Sequence, residues 1–415
     1  MNFRFVDVER HRFDNGLTVL IRPDRSVPIT TSMIWYRVGS SSELPGQRGI
    51  CHFIEHMLFK GTKRFGKGAI DYITTQNGGF NNAFTAHDYT AYFFSFASDR
   101  WKQALEIEAD RMFNAQFDEA EFDLERQVIL EELQMALDDP WDFLRLEMDQ
   151  AAFQKHPYGQ PILGTREDLE NMTREALLEF YGTHYVPGNA TLVLVGDVET
   201  DKALKAVEQT LGKLPSCTVP NLAEARSEQR TQLVRRFLEH PTGVYRMLVA
   251  VPAPSSTEAD FAEMNVIDRA LSEGKLSRLH LRLVEQEHWA SFVTTEIEDT
   301  REPYLLFIRA ELREGVDPGR VESAILEELE ELAERPPEGD ELERAKNQLI
   351  VHFLGDMETT FDQAFQFGLL ETLDRWENLN AYLNRAVGVS PEELATAART
   401  YCDRNQAVIC HLAPM

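Results

Sequence analysis

An Asn15-Gly16 turn is followed by LTVLIRP, in which apolar and polar residues alternate, and this predicts a strand over 15–22. TSMIWYRVGSS (31–41) predicts a second strand. The period then lengthens: Ile50, Phe53, Ile54, Met57 and Leu58 recur at three and four residues, so PGQRGICHFIEHMLF reads as a helix that Gly61 ends. A turn, QNGGFNNA, leads into FTAHDYTAYFFSF, which has the aromatic and β-branched content of a strand. Long helices are expected at 99–113 and 118–137, stopped by DDP, and another follows near 173–182. NATLVLVGDV reads as a buried strand, with a helix near 200–212 behind it.

Residues 215–230 are polar, carry two prolines and show no period, which places a linker at 216–230 between a domain over 1–215 and a domain over 231–415. Beyond it the order recurs: strand YRMLVAVPA, helices 259–272 and 275–287, strands near 290–296 and 303–311, then long helices separated by ERPPEGDE. REALLEFYGTHYVPGNATLVLVGD (174–197) and PEELATAARTYCDRNQAVICHLAP (391–414) share a helix, a short turn and a strand. The expected class is α+β: two similar domains, each a mainly antiparallel sheet packed with helices, produced by a diverged duplication.

Composition changes this picture only through charge. The 42 basic and 69 acidic residues give a net charge of -27, a field that repels nucleic acid and anionic membrane surfaces. It attracts basic peptides or serves only to solvate, and ten Lys against 32 Arg leaves room for a salt-adapted host. Cys51, Cys217, Cys402 and Cys410 are scattered, so a disulfide scaffold is not expected. MNFRFVDVERHRF has no apolar leader core and no apolar stretch approaches 18 residues, which points to the cytoplasm, or to the periplasm if a leader has been removed.

His52 and His56 lie four apart on the third element, hence on one helix face, with Glu55 beside His56. Two imidazoles so placed can meet one ion at about 2 Å, which suits zinc. H-x-x-E-H is the inverted zincin order, with the glutamate better placed to handle a water than to ligate. A catalytic zinc needs a third protein ligand. LERQVILEELQMALDD offers Glu125 and Glu132, seven apart and two turns on the same face, with Val128, Leu130, Leu133 and Met135 among its apolar positions. Spacing alone leaves two readings open: Glu132 as ligand with Glu125 orienting a ligand behind it, or both as solvated charges on an acidic helix.

HFIEHMLFKGT, NNAFTAHDYTAY, ERQVILEEL and HPYGQPILG, in this order, resemble the pitrilysin family in its mitochondrial-processing-peptidase-like branch. The resemblance covers essentially the whole chain, strongest over 12–200. It implies zinc-dependent hydrolysis of oligopeptides or unfolded polypeptides, with one zinc held by His52, His56 and Glu132, since the family's third ligand lies 76 residues beyond the second histidine. It implies Glu55 as general base and Glu125 as the supporting glutamate. It further implies that the strand carrying Asn82, Ala83 and Thr85 pairs with the peptide backbone and that Phe59 lines the pocket past the scissile bond. A plain sheet edge and a core phenylalanine are the bland alternatives. His87 and His156 are expected to serve turns and packing.

The chain departs from the family in its second half. Members use an arginine and a tyrosine seven apart as oxyanion donors, and LSEGKLSRLHLRLVEQEHWASFVTTE puts Val284 and Ser291 there. Some members work as heterodimers that divide zinc motif and Arg/Tyr pair between two chains, so this chain is expected to be the zinc-bearing member with a paralogous partner. A homodimer finding its donors elsewhere, at Arg282 or His288, is one alternative. A non-catalytic scaffold is the other, and the intact zinc motif argues against it. Asp138, Asp139 and Asp142 suit basic residues near the cut.

Overall fold

The computed structural model describes residues 8–219 and 230–415. Among the described residues eleven strands form two sheets: β1 (Glu9–Arg12), β2 (Thr18–Pro23), β3 (Ile29–Tyr36), β4 (Phe80–Thr85), β5 (Thr90–Ala97) and β6 (Ala190–Gly196), then β7 (Val234–His240), β8 (Arg246–Ala253), β9 (Ala290–Ile297), β10 (Tyr304–Leu312) and β11 (Val408–Pro414). The first sheet runs β1-β2-β6-β3-β5-β4 and the second β7-β11-β8-β10-β9. β6 lies parallel to β2 and antiparallel to β3, and β11 lies parallel to β7 and antiparallel to β8. The duplicated chain endings therefore insert their strands at equivalent places in two sheets of one topology. The α+β class is observed as expected.

The first three α-helices after the hairpin β4–β5 are Lys102–Asn114, Glu119–Asp138 and Pro140–Ala152, and the first three after β9–β10 are Pro318–Glu334, Gly339–Gly355 and Thr360–Leu373. The third of each set crosses to the other half. Pro140–Ala152 lies on β11, β8 and β7, while Thr360–Leu373 lies on β3 and β6. One apolar core accordingly joins Met33 and Trp35 of the first sheet to Val249 and Ile308 of the second. The division at 216–230 remains a proposal: β6 ends at Gly196 and β7 begins at Val234, and 220–229 lie outside the described residues.

Trp35 marks the crossing. Its ring meets Phe84, Tyr89 and Phe365 edge-on at 5.0–5.4 Å. A Cβ on Gly368 would stand 1.9 Å from Trp35 Nε1, so only glycine lets the helix approach. Gly368→Ala is expected to cost about 1–3 kcal/mol by overpacking, read as a lower urea midpoint.

Three sequence expectations change. FTAHDYTAYFFSF belongs to a hairpin, broken between Thr85 and Thr90, because Ala86 and His87 turn to bind the amides of Ser40 and Ser41. Pro140–Ala152 was missed beyond the DDP stop, although Asp139 accepts the Trp141 and Asp142 amides and Pro140 starts the helix, the marks of a new helix rather than an end. The helix expected over 275–287 is π-wound from His280 to Gln286. Among the described residues no helix is long and apolar enough to cross a membrane.

Candidate metal centre

Helix Ile50–Met57 buries Ile50, Phe53, Ile54 and Met57 and leaves His52, Glu55 and His56 half-buried on its other side. Its partner is Glu119–Asp138, against which Phe53 stacks on Phe122 at 4.8 Å. The buried stripe of that second helix is Phe122, Glu125, Ile129 and Leu133, so Glu125 and Glu132 are carried on the side that meets the histidines. Val128 and Met135, expected among the apolar positions, are 44% and 70% exposed.

The start of the histidine helix is held by a residue that sequence reasoning passed over. Gly49 adopts φ +87°, and a Cβ there would strike the Leu163 carbonyl at 2.5 Å. Its amide donates to Glu43 Oε2 at 2.7 Å and the Cys51 amide to Oε1 at 2.9 Å, so one carboxylate caps two of the helix's open N–H groups. Glu43→Ala is expected to cost about 1–2 kcal/mol in denaturant unfolding of the whole chain.

His52 Nε2 and His56 Nε2 lie 3.2 Å apart, with Glu132 Oε2 at 3.7 Å from the first and 3.4 Å from the second. Among the described residues this is the group of donors that could hold a metal. Tetrahedral bonds of about 2.0–2.1 Å put donors roughly 3.3 Å apart, so the three atoms already stand near that spacing. His56 Nδ1 faces Glu125 Oε1 at 2.9 Å, which assigns the ring proton to Nδ1 and leaves Nε2 with its lone pair toward His52 and Glu132. Lys60 Nζ is 2.7 Å from Glu125 Oε2. Lys60 lies three residues past the end of the histidine helix, so no helical spacing signalled its approach to Glu125.

Electrostatics follow this layout. Burial opposes charge on Glu125, yet hydrogen bonds from His56 and Lys60 more than offset it and hold its carboxyl below the usual range. Burial also opposes charge on His56, and the Glu125 bond with the Glu132 and Glu55 carboxylates turns the balance upward. His52 is pushed down to about 3 by burial and by His56, leaving a neutral imidazole suited to ligation. Burial raises Glu55 against the Thr85 hydroxyl, which donates to its Oε2 at 2.5 Å.

β4 is an edge strand of its sheet, with β1 at the opposite edge. Ala83 packs with the core under the histidine helix, and Thr85 reaches Glu55. Asn82 alternates to the opposite face and is exposed, its Oδ1 accepting the Ala83 amide at 2.9 Å. Phe59 is half-buried beyond the helix end, 6.1 Å from the Tyr92 ring. His87 bonds Ser40 at 2.9 Å and His156 accepts the Tyr158 amide at 3.2 Å, matching the expectation of turns and packing. Asp138 binds Gln134 and Asp139 caps a helix, whereas Asp142 lines a cavity of about 300 Å³ with Arg145, Asp149 and Glu298.

The second-half positions sit elsewhere. Val284 packs into the core and Ser291, exposed on β9, donates to Glu311 Oε1 at 3.1 Å. Arg282 is engaged by Glu328 at 3.1 Å and by Glu327. His288 adopts φ +56° and its Nδ1 bonds the Val284 carbonyl at 3.0 Å.

Two family models fit this chain: insulinase (peptidase family M16) matches residues 18–166, and peptidase M16 inactive domain matches 171–349. The chain belongs to peptidase family M16. Among M16 relatives, the zinc protease PqqE of Helicobacter pylori is 28% identical, over 96% of this chain and 91% of that protein. A mitochondrial-processing peptidase subunit beta from Blastocladiella emersonii is 26% identical, over 96% of this chain and 87% of that one. The crystal structure of a protease from Helicobacter pylori superposes with a TM-score of 0.93 at 24% identity, covering 98% of this chain and all of that one, which shows the shared fold.

Proposed function

We propose that this M16 chain is the zinc-bearing subunit of an endopeptidase acting on oligopeptides or unfolded polypeptides. The carrying observation is the convergence of His52, His56 and Glu132 within 3.2–3.7 Å, with the Glu55 carboxylate adjoining them. A zinc ion there supplies Lewis acidity, bringing a water's pKa toward ~7 and polarising a carbonyl. Glu55 takes the proton of the attacking water and delivers it to the leaving amine. Thr85 holds Glu55 in place, and Glu125, itself held by Lys60, orients His56. The peptide backbone adds along the free edge of β4, where Ala83 and Thr85 share the helix side, and Phe59 borders the residue past the cut.

The oxyanion donors come from a paralogous partner. Val284 cannot donate, Ser291 is spent on Glu311, and Arg282 is tied to two glutamates, which also disfavours a self-sufficient homodimer. The test is cleavage of a fluorogenic peptide library by the zinc-loaded chain, alone and mixed with a paralogue carrying Arg and Tyr seven apart. The rate is expected to rise by at least ~10²-fold on mixing. A full rate from the chain alone would refute the shared site.

A further inference from the structure

Beneath Phe59 lies a charged pair that the proposed chemistry does not use. Glu108 and Arg111, on helix Lys102–Asn114, are each 1% exposed and meet at 3.5 Å. The Arg111 guanidinium stands over three rings, Tyr92 at 4.7 Å, Phe59 at 4.9 Å and Phe94 at 5.3 Å. Among the described residues, both carboxylate oxygens of Glu108, all three guanidine nitrogens of Arg111 and the hydroxyls of Tyr36 and Tyr92 have no hydrogen-bond partner.

A pair this buried and this poorly hydrogen-bonded does not favour stability, because desolvating two ions costs more than their attraction returns, and apolar residues of the same volume are often as good or better. What the pair does favour is order in the rings it touches. A flat guanidinium stacks on an aromatic face, and its counter-charge fixes where it lies. Two of the three rings, Phe59 and Tyr92, neighbour each other at the end of the histidine helix, and the electrostatic reach of Glu55 extends to Tyr92.

We infer that Glu108 and Arg111 are positioning residues that hold the Phe59 and Tyr92 rings, so that the pocket for the side chain after the scissile bond discriminates among side chains. This rests on the zinc-peptidase reading above. The measurement is the dissociation constant of the zinc-loaded chain for peptide hydroxamates that differ only in the pocket side chain: methyl, isobutyl or benzyl. In the Glu108→Leu/Arg111→Met double variant, zinc content and melting temperature are expected to match the wild type or exceed it. The ratio between best-bound and worst-bound side chains is expected to narrow by about 10-fold. Arg111→Lys, which keeps the charge and loses the stacking face, is expected to narrow it too, so the test survives misfolding of the double variant. Adding Phe59→Leu to either should narrow the ratio by less than the sum of the separate effects, the mark of residues that act together. A wild-type chain that binds no hydroxamate would overturn the zinc reading and this inference with it. A wild type that discriminates, beside a folded Arg111→Lys protein that discriminates equally, would overturn this inference alone.

Discussion

Glu55→Gln is expected to keep its metal and lose its turnover, with kcat falling by ~10²–10⁴-fold while zinc affinity stays within a few-fold of wild type. The three donor atoms belong to His52, His56 and Glu132, and Glu55 instead accepts from Thr85 at 2.5 Å, so an amide there disturbs no donor. The amide cannot accept a proton from the attacking water, and the deficit therefore falls on the chemical step and not on substrate binding. Steady-state kinetics with the partner subunit present, beside zinc analysis of the same preparation, separate the two quantities. A lost metal would instead assign Glu55 to the donor set.

Glu132→Ala is expected to weaken zinc retention by well over ~100-fold and to abolish cleavage at ordinary zinc levels. It removes one of three protein donors, and the two remaining imidazoles cannot hold a catalytic zinc against competing chelators. Glu125→Gln is the graded comparison. Its carboxylate does not approach the metal position but bonds His56 Nδ1 at 2.9 Å, and loss of such an orienting partner costs about 10–100-fold in affinity. Competition with a chromogenic chelator orders wild type, Glu125→Gln and Glu132→Ala. Equal affinities for the last two would remove the distinction between ligand and support.

Much of this is legible in the sequence. The shift from two-residue to four-residue apolar spacing between 31 and 58 places the histidines on a helix, and the seven-residue spacing places Glu125 and Glu132 on one face. Periodicity reports faces, however, and not what a face meets. Nothing local shows that the Glu119–Asp138 helix turns Glu132 toward the histidines and Val128 to solvent; that follows from Phe53 stacking on Phe122. The Glu43 cap joins a loop residue to amides six and eight positions on, outside any helical or strand repeat. The exchange of Pro140–Ala152 and Thr360–Leu373 between sheets is likewise invisible locally, since an amphipathic helix reads the same whichever sheet it covers. The Arg111 stack required knowing that β5 brings Tyr92 and Phe94 under Phe59.

The second half was legible in another sense. Val284 and Ser291 were noticed because they stand where donors were expected, and the structure gives each a local occupation, Val284 in the core and Ser291 on Glu311. β9, the edge strand of the second sheet, packs against the π-wound segment that carries Val284.

Metal stoichiometry tests the central claim most directly. Wild type, Glu55→Gln and His56→Ala are each equilibrated with zinc, freed of excess by gel filtration and analysed for metal per chain. The expected result is one zinc in the first two and none in the third. A wild type that retains no zinc, or a His56→Ala protein that retains as much as wild type, would contradict the site built from His52, His56 and Glu132.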